Sequence, residues 1–60
     1  MNTISTMRTG HRRLPDGHLL RIDVESDRWV ATLFNPDLTV RSQFVGSDAE
    51  VHAWAARIAA

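Results

Sequence analysis

The feature that most constrains this chain is a change in hydrophobic periodicity at Gly46-Ser47. Between residues 18 and 45, apolar and polar side chains alternate with period two through three short segments, whereas after Ser47 apolar residues recur every three or four positions. Period two is typical of strands with one buried face, and the longer period is typical of an amphipathic helix. The sequence therefore predicts an α+β domain over residues 18–60, a three-stranded antiparallel β-meander with one C-terminal α-helix packed on one face.

Two turns predict the register of this β-β-β-α unit. Residues 25–28 (Glu-Ser-Asp-Arg) suit a tight hairpin, and residues 35–38 (Asn-Pro-Asp-Leu) suit a type I or related turn because Pro follows Asn. Counting outward from both turns predicts three rows on the inner, helix-facing side of the sheet: Val24, Trp29, Phe44; Ile22, Ala31, Ser42; Leu20, Leu33, Val40. A slip of one residue at either turn would move a strand's apolar set to the other face.

The helix is predicted from its cap and from its apolar stripe. Residues 47–50 (Ser-Asp-Ala-Glu) have the pattern of a capping box, in which the first and last side chains each accept a hydrogen bond from a free backbone amide. The stripe consists of Val51, Trp54, Ala55 and Ile58. Trp54 is its largest member, so we expect this side chain to anchor the helix on the sheet.

Residues 1–17 are predicted to be a basic polar arm. The first 15 residues carry a charge of +3 with no acidic residue, which leaves −3 on the rest of a chain whose net charge is zero. Residues 15–17 (Pro-Asp-Gly) are a strong turn signal that would fold residues 7–14 back as an edge strand. Because that pairing would place Arg, His or Gly over the core rows, we expect a mobile arm or an irregular edge. The arm's candidate nucleic-acid contacts are Arg8, Arg12 and Arg13.

The opposite, outer face of the predicted sheet is the candidate partner surface. A sheet face with no role beyond solvation should be polar throughout, whereas apolar residues and arginines alternate on this one. The predicted contact residues are Leu19, Arg21, Arg28, Val30, Thr32, Phe34, Arg41 and Gln43. In the predicted register Arg21 and Arg41 flank Thr32. Such a surface would suit either a protein or a nucleic acid.

The pattern also resembles a known domain. An aromatic residue opens the middle strand, a Phe lies near the end of the third, and an acidic, Ala-rich helix carries a Trp; the matching positions are Trp29, Phe44, Ala49, Glu50 and Trp54. This arrangement resembles the arm-site-binding N-terminal domain of tyrosine recombinases over residues 19–59. The resemblance implies that the outer face enters the DNA major groove and that Arg21, Arg28, Thr32, Arg41 and Gln43 make the contacts.

Several function classes lack support in the sequence. The chain has no cysteine, no Gly-rich phosphate loop and no pair of carboxylates suited to a pocket, so we expect no catalytic residues, no cofactor and no small-molecule substrate. His11, Asp16 and His18 lie near one another in sequence, but their loose spacing does not predict a metal site. No apolar run is long enough to span a membrane and the N-terminus lacks a signal-peptide core, so a cytoplasmic protein is expected.

Two functional hypotheses remain. The first is a small non-enzymatic protein-interaction module that binds a partner protein, or itself as a homodimer, through the outer face or the edge strand at residues 38–45. The lysine-free, Ala- and Arg-rich composition suits an accessory or inhibitor protein of a phage or of a GC-rich bacterium. The alternative is a DNA-binding module that reads the duplex with the outer face. Zero net charge favours the first, because domains that depend on phosphate contacts are usually basic.

Overall fold

The protein is an α+β unit in which one antiparallel sheet precedes a single helix. The computed structural model describes residues 9–59. Its elements are β1 (Gly10–Arg13), β2 (Leu19–Glu25), β3 (Arg28–Phe34), β4 (Val40–Gly46) and α1 (Asp48–Ala59). The strands lie in the order β1-β2-β3-β4, each antiparallel to its neighbour. The predicted class is confirmed, but the sheet has four strands where three were predicted.

The additional strand is β1, at the edge of the sheet. Gly10 lies opposite Ile22 and Arg12 opposite Leu20, so Gly and Arg do occupy inner-face positions. Arg12 lines a hollow with Leu20, Ile22 and Ala55. An arginine can place its methylene groups against apolar neighbours while its guanidinium reaches solvent. Of the two arrangements expected for the arm, residues 10–13 therefore adopt the edge strand, because an edge position does not require an apolar side chain.

The register between β2 and β3 is as predicted. Val24 lies opposite Trp29, Ile22 opposite Ala31, and Leu20 opposite Leu33. Of the two central residues of the hairpin, only Ser26 has a positive φ, at 56°. A positive φ at the first central position matches the type II′ turn, whose twist suits a two-residue connection between antiparallel strands.

The predicted register between β3 and β4 was wrong by two residues. Leu38 adopts a φ of 73°, and the Asn35 amide donates to the Thr39 carbonyl at 2.8 Å, which makes a three-residue loop instead of the predicted two-residue one. A bulge then separates the Phe34–Val40 pair from the Leu33–Ser42 pair. Each feature inserts one residue, so together they restore the alternation of faces from Ser42 onward.

Two residues predicted to lie in the core are exposed, and one of them, Val40, is exposed because of this shift. Val40 precedes the bulge and lies opposite Phe34 on the outer face, with 59% of its surface exposed. Val24 keeps its predicted partner but is 48% exposed, because it lies near the end of the sheet. The bulge also gives Ala31 a larger partner, Phe44, in place of the predicted Ser42.

The core lies between the inner face of the sheet and α1. Its buried residues are Leu14, Leu20, Ile22, Ala31, Leu33, Val51 and Ala55. Leu14 was not predicted, since it was assigned to the arm. It is held by the Pro15-Asp16-Gly17 turn, in which the Gly17 amide donates to the Leu14 carbonyl at 3.0 Å and the Leu14 amide donates to the His18 carbonyl at 2.7 Å. The turn signal was correct, and the turn directs Leu14 inward.

The capping box is confirmed. The Ser47 amide donates to Glu50 Oε1 at 2.9 Å, and the Glu50 amide donates to Ser47 Oγ at 3.2 Å. Val51 is fully buried, whereas Trp54 is half-buried and stacks on Phe44 with 5.8 Å between ring centroids. The predicted stripe therefore docks on the sheet: Val51 is its most deeply buried residue, and Trp54 packs against the side of the core.

Replacing the cap residue should have a modest effect on stability. We expect Ser47→Ala to lower the free energy of unfolding by about 1 kcal/mol, because it leaves the Glu50 amide without its acceptor. Urea denaturation followed by circular dichroism measures the change. An unaltered transition midpoint would contradict the role of Ser47 as a cap.

Candidate protein-interaction surface

The outer face is buried at its centre, whereas it is exposed and largely apolar at one end. Reading across β1 to β4, its rows are Arg13, Leu19, Phe34, Val40; His11, Arg21, Thr32, Gln43; Asp23, Val30, Val45; and Glu25, Arg28. The first row lies nearest the β1–β2 and β3–β4 turns. The strand alternation that buries Leu20 and Leu33 on the inner side is what places these residues on the outer side.

The centre of this face is covered by its own side chains. Thr32 and Val30 are buried, although both were predicted to contact a partner. Gln43 Nε2 donates to Thr32 Oγ1 at 3.1 Å, and Arg21 Nε donates to Asp23 Oδ2 at 2.8 Å. These contacts pair polar groups within the sheet. Because Val30 and Thr32 are buried, they offer little surface to a partner.

Apart from Arg13, the row beside the two turns is apolar, and it is partly open to solvent. Leu19 and Phe34 are partly exposed there, and Val40 and Leu38 are each 59% exposed. A hollow of about 530 Å³ lies in front of Leu19, Phe34 and Leu38 and extends to Arg21 and His11. We call the group Leu19, Phe34, Leu38 and Val40 the apolar end. Leu38 and Val40 were not among the contacts predicted for the outer face, because the predicted register placed Leu38 in the turn and Val40 in the core; both lie in the edge segment 38–45, which was the alternative contact.

Leu38 is held in an unfavourable backbone conformation by the loop around it. Its φ of 73° lies in the left-handed region, which suits Gly or Asn much better than Leu. The Leu38 amide donates to the Asn35 carbonyl at 2.8 Å. Asp37 Oδ1 accepts from the Thr39 amide at 3.0 Å and from the Thr39 hydroxyl at 2.6 Å, and Asn35 Nδ2 donates to that hydroxyl at 3.0 Å. The loop therefore presents Leu38 in a defined position.

These contacts should be visible in the titration of Asp37. The hydrogen bonds from the Thr39 hydroxyl and amide lower the Asp37 pKa below its ordinary value of 3.8. The carboxylate therefore stabilises the loop above that value, and this contribution is lost as the pH falls through the lowered pKa. We expect Thr39→Val to move the pKa back towards 3.8, as measured from the carboxyl carbon shift by NMR. An unchanged pKa would contradict the hydroxyl contact.

Two of the arginines on the outer face, Arg21 and Arg28, have acidic neighbours. Arg21 is paired with Asp23, and Arg28 lies opposite Glu25. Arg41 is not on this face as predicted: it occupies the bulge and lines a hollow with Leu33 and Ile58 on the helix side. The predicted Arg21–Thr32–Arg41 row is therefore replaced by Arg21, Thr32 and Gln43. Little uncompensated positive charge remains at the centre of the outer face.

Two of the three arginines predicted to contact nucleic acid through the arm lie in β1. Arg12 and Arg13 are neighbours on β1, so their side chains point to opposite faces of the sheet. Arg13 Nη1 donates to the Gly17 carbonyl at 3.1 Å, which ties it to the adjoining turn. Arg8 lies outside the described residues. These two described arginines therefore do not form a common cationic surface.

The histidines make local contacts. The His18 amide donates to Asp16 Oδ1 at 3.0 Å, and His18 Nδ1 lies 3.0 Å from the same oxygen; the amide first and then the ring lower the pKa of the Asp16 carboxyl. His52 Nδ1 lies 2.6 Å from Asp48 Oδ1, one helical turn away, and its ring meets Trp29 edge-on at 5.3 Å between centroids. Among residues 9–59, no three His, Asp or Glu side chains converge as a metal site would require.

In the part of the chain that the structure describes, no helix has the length and apolar character needed to cross a membrane. Comparison of the chain with models of protein families, with curated proteins and with solved structures finds no match. The resemblance to the tyrosine recombinase domain therefore stays a prediction.

Proposed function

We propose that this chain is a non-enzymatic protein-interaction module whose apolar end receives an apolar side chain from a partner protein. The observation that carries the proposal is Leu38. This residue is exposed, it faces the hollow, and it occupies a backbone conformation that disfavours leucine. The accessory or inhibitor role expected from composition belongs to this proposal, with the partner protein as the target.

The main support for the proposal is the free-energy cost of the backbone conformation of Leu38. A non-Gly residue in the left-handed region costs on the order of 1–3 kcal/mol, and such residues cluster at binding sites. Within residues 9–59, an exposed leucine regains little of that cost by burial. A partner side chain packed against Leu38, Phe34 and Leu19 would bury apolar surface and offset the cost, which explains why leucine stands there.

The size of the apolar end favours a short segment as the ligand. A standard protein–protein interface buries about 800 Å² on each partner. That would be about a fifth of the 3994 Å² surface of the described chain, which is larger than one row of the sheet and its loop. An extended peptide that inserts one aromatic or aliphatic anchor fits this surface better. Such anchors dominate the energy of many interfaces.

DNA binding by the same face has less support. The arginines at its centre have acidic neighbours, Arg41 lies on the other side, and the net charge is zero. A duplex would meet Asp23 and Glu25 on the surface predicted to enter the groove.

Selection from a displayed peptide library tests the proposal even though the partner is unidentified. Enriched peptides should carry an aromatic or large aliphatic residue, and calorimetry should show that they bind the purified protein. Leu38→Asn should abolish that binding. Because Asn tolerates a positive φ, the same change should leave stability equal or raise it by up to about 1 kcal/mol. Val24→Asn, which alters an exposed valine at the far end of the sheet, is the matched control and should bind normally.

A second pair of variants separates protein binding from DNA binding. Phe34→Asp should abolish peptide capture, whereas Arg21→Ala combined with Arg28→Ala should change it little. If duplex DNA is the ligand, the double arginine change should weaken binding and flatten its salt dependence, by about 0.9 in the log–log slope for each lost phosphate contact. Tight, salt-dependent duplex binding, or peptide capture that survives both Leu38→Asn and Phe34→Asp, would refute the proposal.

A further inference from the structure

The two edges of the sheet are protected to different degrees. The β1 edge is four residues long and carries Gly, His and two arginines, all exposed. Short and charged edge strands resist pairing with another chain. The β4 edge is seven residues long and exposes Val40 and Val45. Its charged residue, Arg41, and its bulge lie near its start, so Ser42–Gly46 is an uncharged stretch whose free side pairs with no strand of residues 9–59.

The bulge restricts how a second strand could pair with β4. Arg41 interrupts the regular ladder, which leaves Ser42–Gly46 as the continuous segment. Phe44 is the middle residue of that segment. A two-fold axis at Phe44 would pair Phe44 with the partner's Phe44, Ser42 with the partner's Gly46, and Gln43 with the partner's Val45. All of these residues are uncharged, so no like charges would face each other.

We propose that two copies of this chain pair their β4 strands antiparallel about Phe44, joining two four-stranded sheets into one continuous sheet. The helix side supplies an apolar contact for this dimer. Phe44 is half-buried and stacked on Trp54, so the axis would bring two Phe–Trp stacks together. On the outer side, Val45 is 46% exposed and would be covered by the partner's Gln43. The dimer is weak, because such an edge buries less area than a standard interface.

This dimer uses a different surface from the proposed peptide site. Val45 lies beside Val30 in the third outer row, whereas the apolar end lies beside the two turns. Leu38→Asn should therefore leave the dimer intact. The failure of one proposal leaves the other standing.

Site-specific cross-linking tests both the dimer and its register, because the chain has no cysteine of its own. Gln43→Cys protein and Val45→Cys protein are prepared separately and oxidised alone or mixed. The proposed register places these two positions opposite each other across the axis, within the range of a disulfide. We expect cross-linked dimer from the mixture and much less from either variant alone. Val24→Cys mixed with Gln43→Cys is the control and should remain monomeric.

Sedimentation velocity over a wide range of protein concentrations tests association without cross-linking. The wild-type chain should shift from monomer to dimer as its concentration rises. Val45→Lys should remain monomeric, since a charged lysine at an edge opposes pairing, whereas Val24→Lys should associate as the wild type does. A wild-type chain that stays monomeric throughout, a Val45→Lys variant that still dimerises, or a Gln43→Cys variant that cross-links efficiently alone would overturn the proposal.

Discussion

Val51→Asp is expected to leave the protein unfolded at room temperature. Val51 is fully buried between α1 and the sheet, where a carboxylate would lose its hydration and meet apolar neighbours. An unpaired buried charge costs several kcal/mol. A sixty-residue domain has a total stability of about 3–9 kcal/mol at about 0.05–0.15 per residue. Circular dichroism and the dispersion of amide signals in NMR would report the loss of structure.

The same helix provides the control for that change. Ala53 is exposed in α1, two residues from Val51. Ala53→Asp adds the same carboxylate to the same helix but leaves it in water, so the stability should fall by no more than about 1 kcal/mol, most of it from the lower helix propensity of Asp. Equal effects of the two substitutions would show that the helix does not dock through Val51.

Leu20→Ala should lower the free energy of unfolding by about 2–5 kcal/mol. Leu20 is only 3% exposed and lies beside Leu33 in the core, so truncation removes buried methyl groups and leaves a cavity. Leu38→Ala removes the same atoms from a side chain that is 59% exposed, and it should change stability little. Denaturant midpoints of the two variants measure the contrast.

In a binding assay the order of the two effects should be reversed, with the larger effect at Leu38 and the smaller at Leu20. Leu38→Ala should weaken capture of a selected peptide, because it removes contact surface at the apolar end. Leu20→Ala, measured under conditions where the variant is folded, should bind as the wild type does. Equal destabilisation by both changes would mean that Leu38 belongs to the core and would remove the main support for the proposed function.

Local signals in the sequence were sufficient for much of the fold. The hairpin at residues 25–28 specifies the pairing of β2 with β3, because a two-residue loop leaves one register. Ser47 and Glu50 specify the start of α1, since the capping box depends only on residues three positions apart. The turn at residues 15–17 was also visible. Each of these features depends on neighbours in the chain, and so it can be inferred before the packing is considered.

The remaining features depend on packing between distant residues. Whether the β3–β4 loop takes two residues or three depends on the conformation of Leu38, and a leucine gives no local signal for a positive φ. The bulge at Arg41 restores Phe44 to the inner face, where it stacks on Trp54 from a different element. The pairing of β1 likewise depends on packing between distant residues, because it places Arg12 opposite Leu20 on the inner face.

Local patterns are therefore enough to predict the class of the domain, the first hairpin, the helix start and a mixed apolar and charged outer face. Which part of that face is open depends on the packing of the whole sheet. In the structure Val30 and Thr32 are buried, Arg41 lies on the other side, and Leu38 and Val40 are exposed beside Phe34. The physical reason is that face assignment alternates with each residue, so two single-residue insertions between Phe34 and Ser42 change the surface while leaving the periodicity of β4 unaltered.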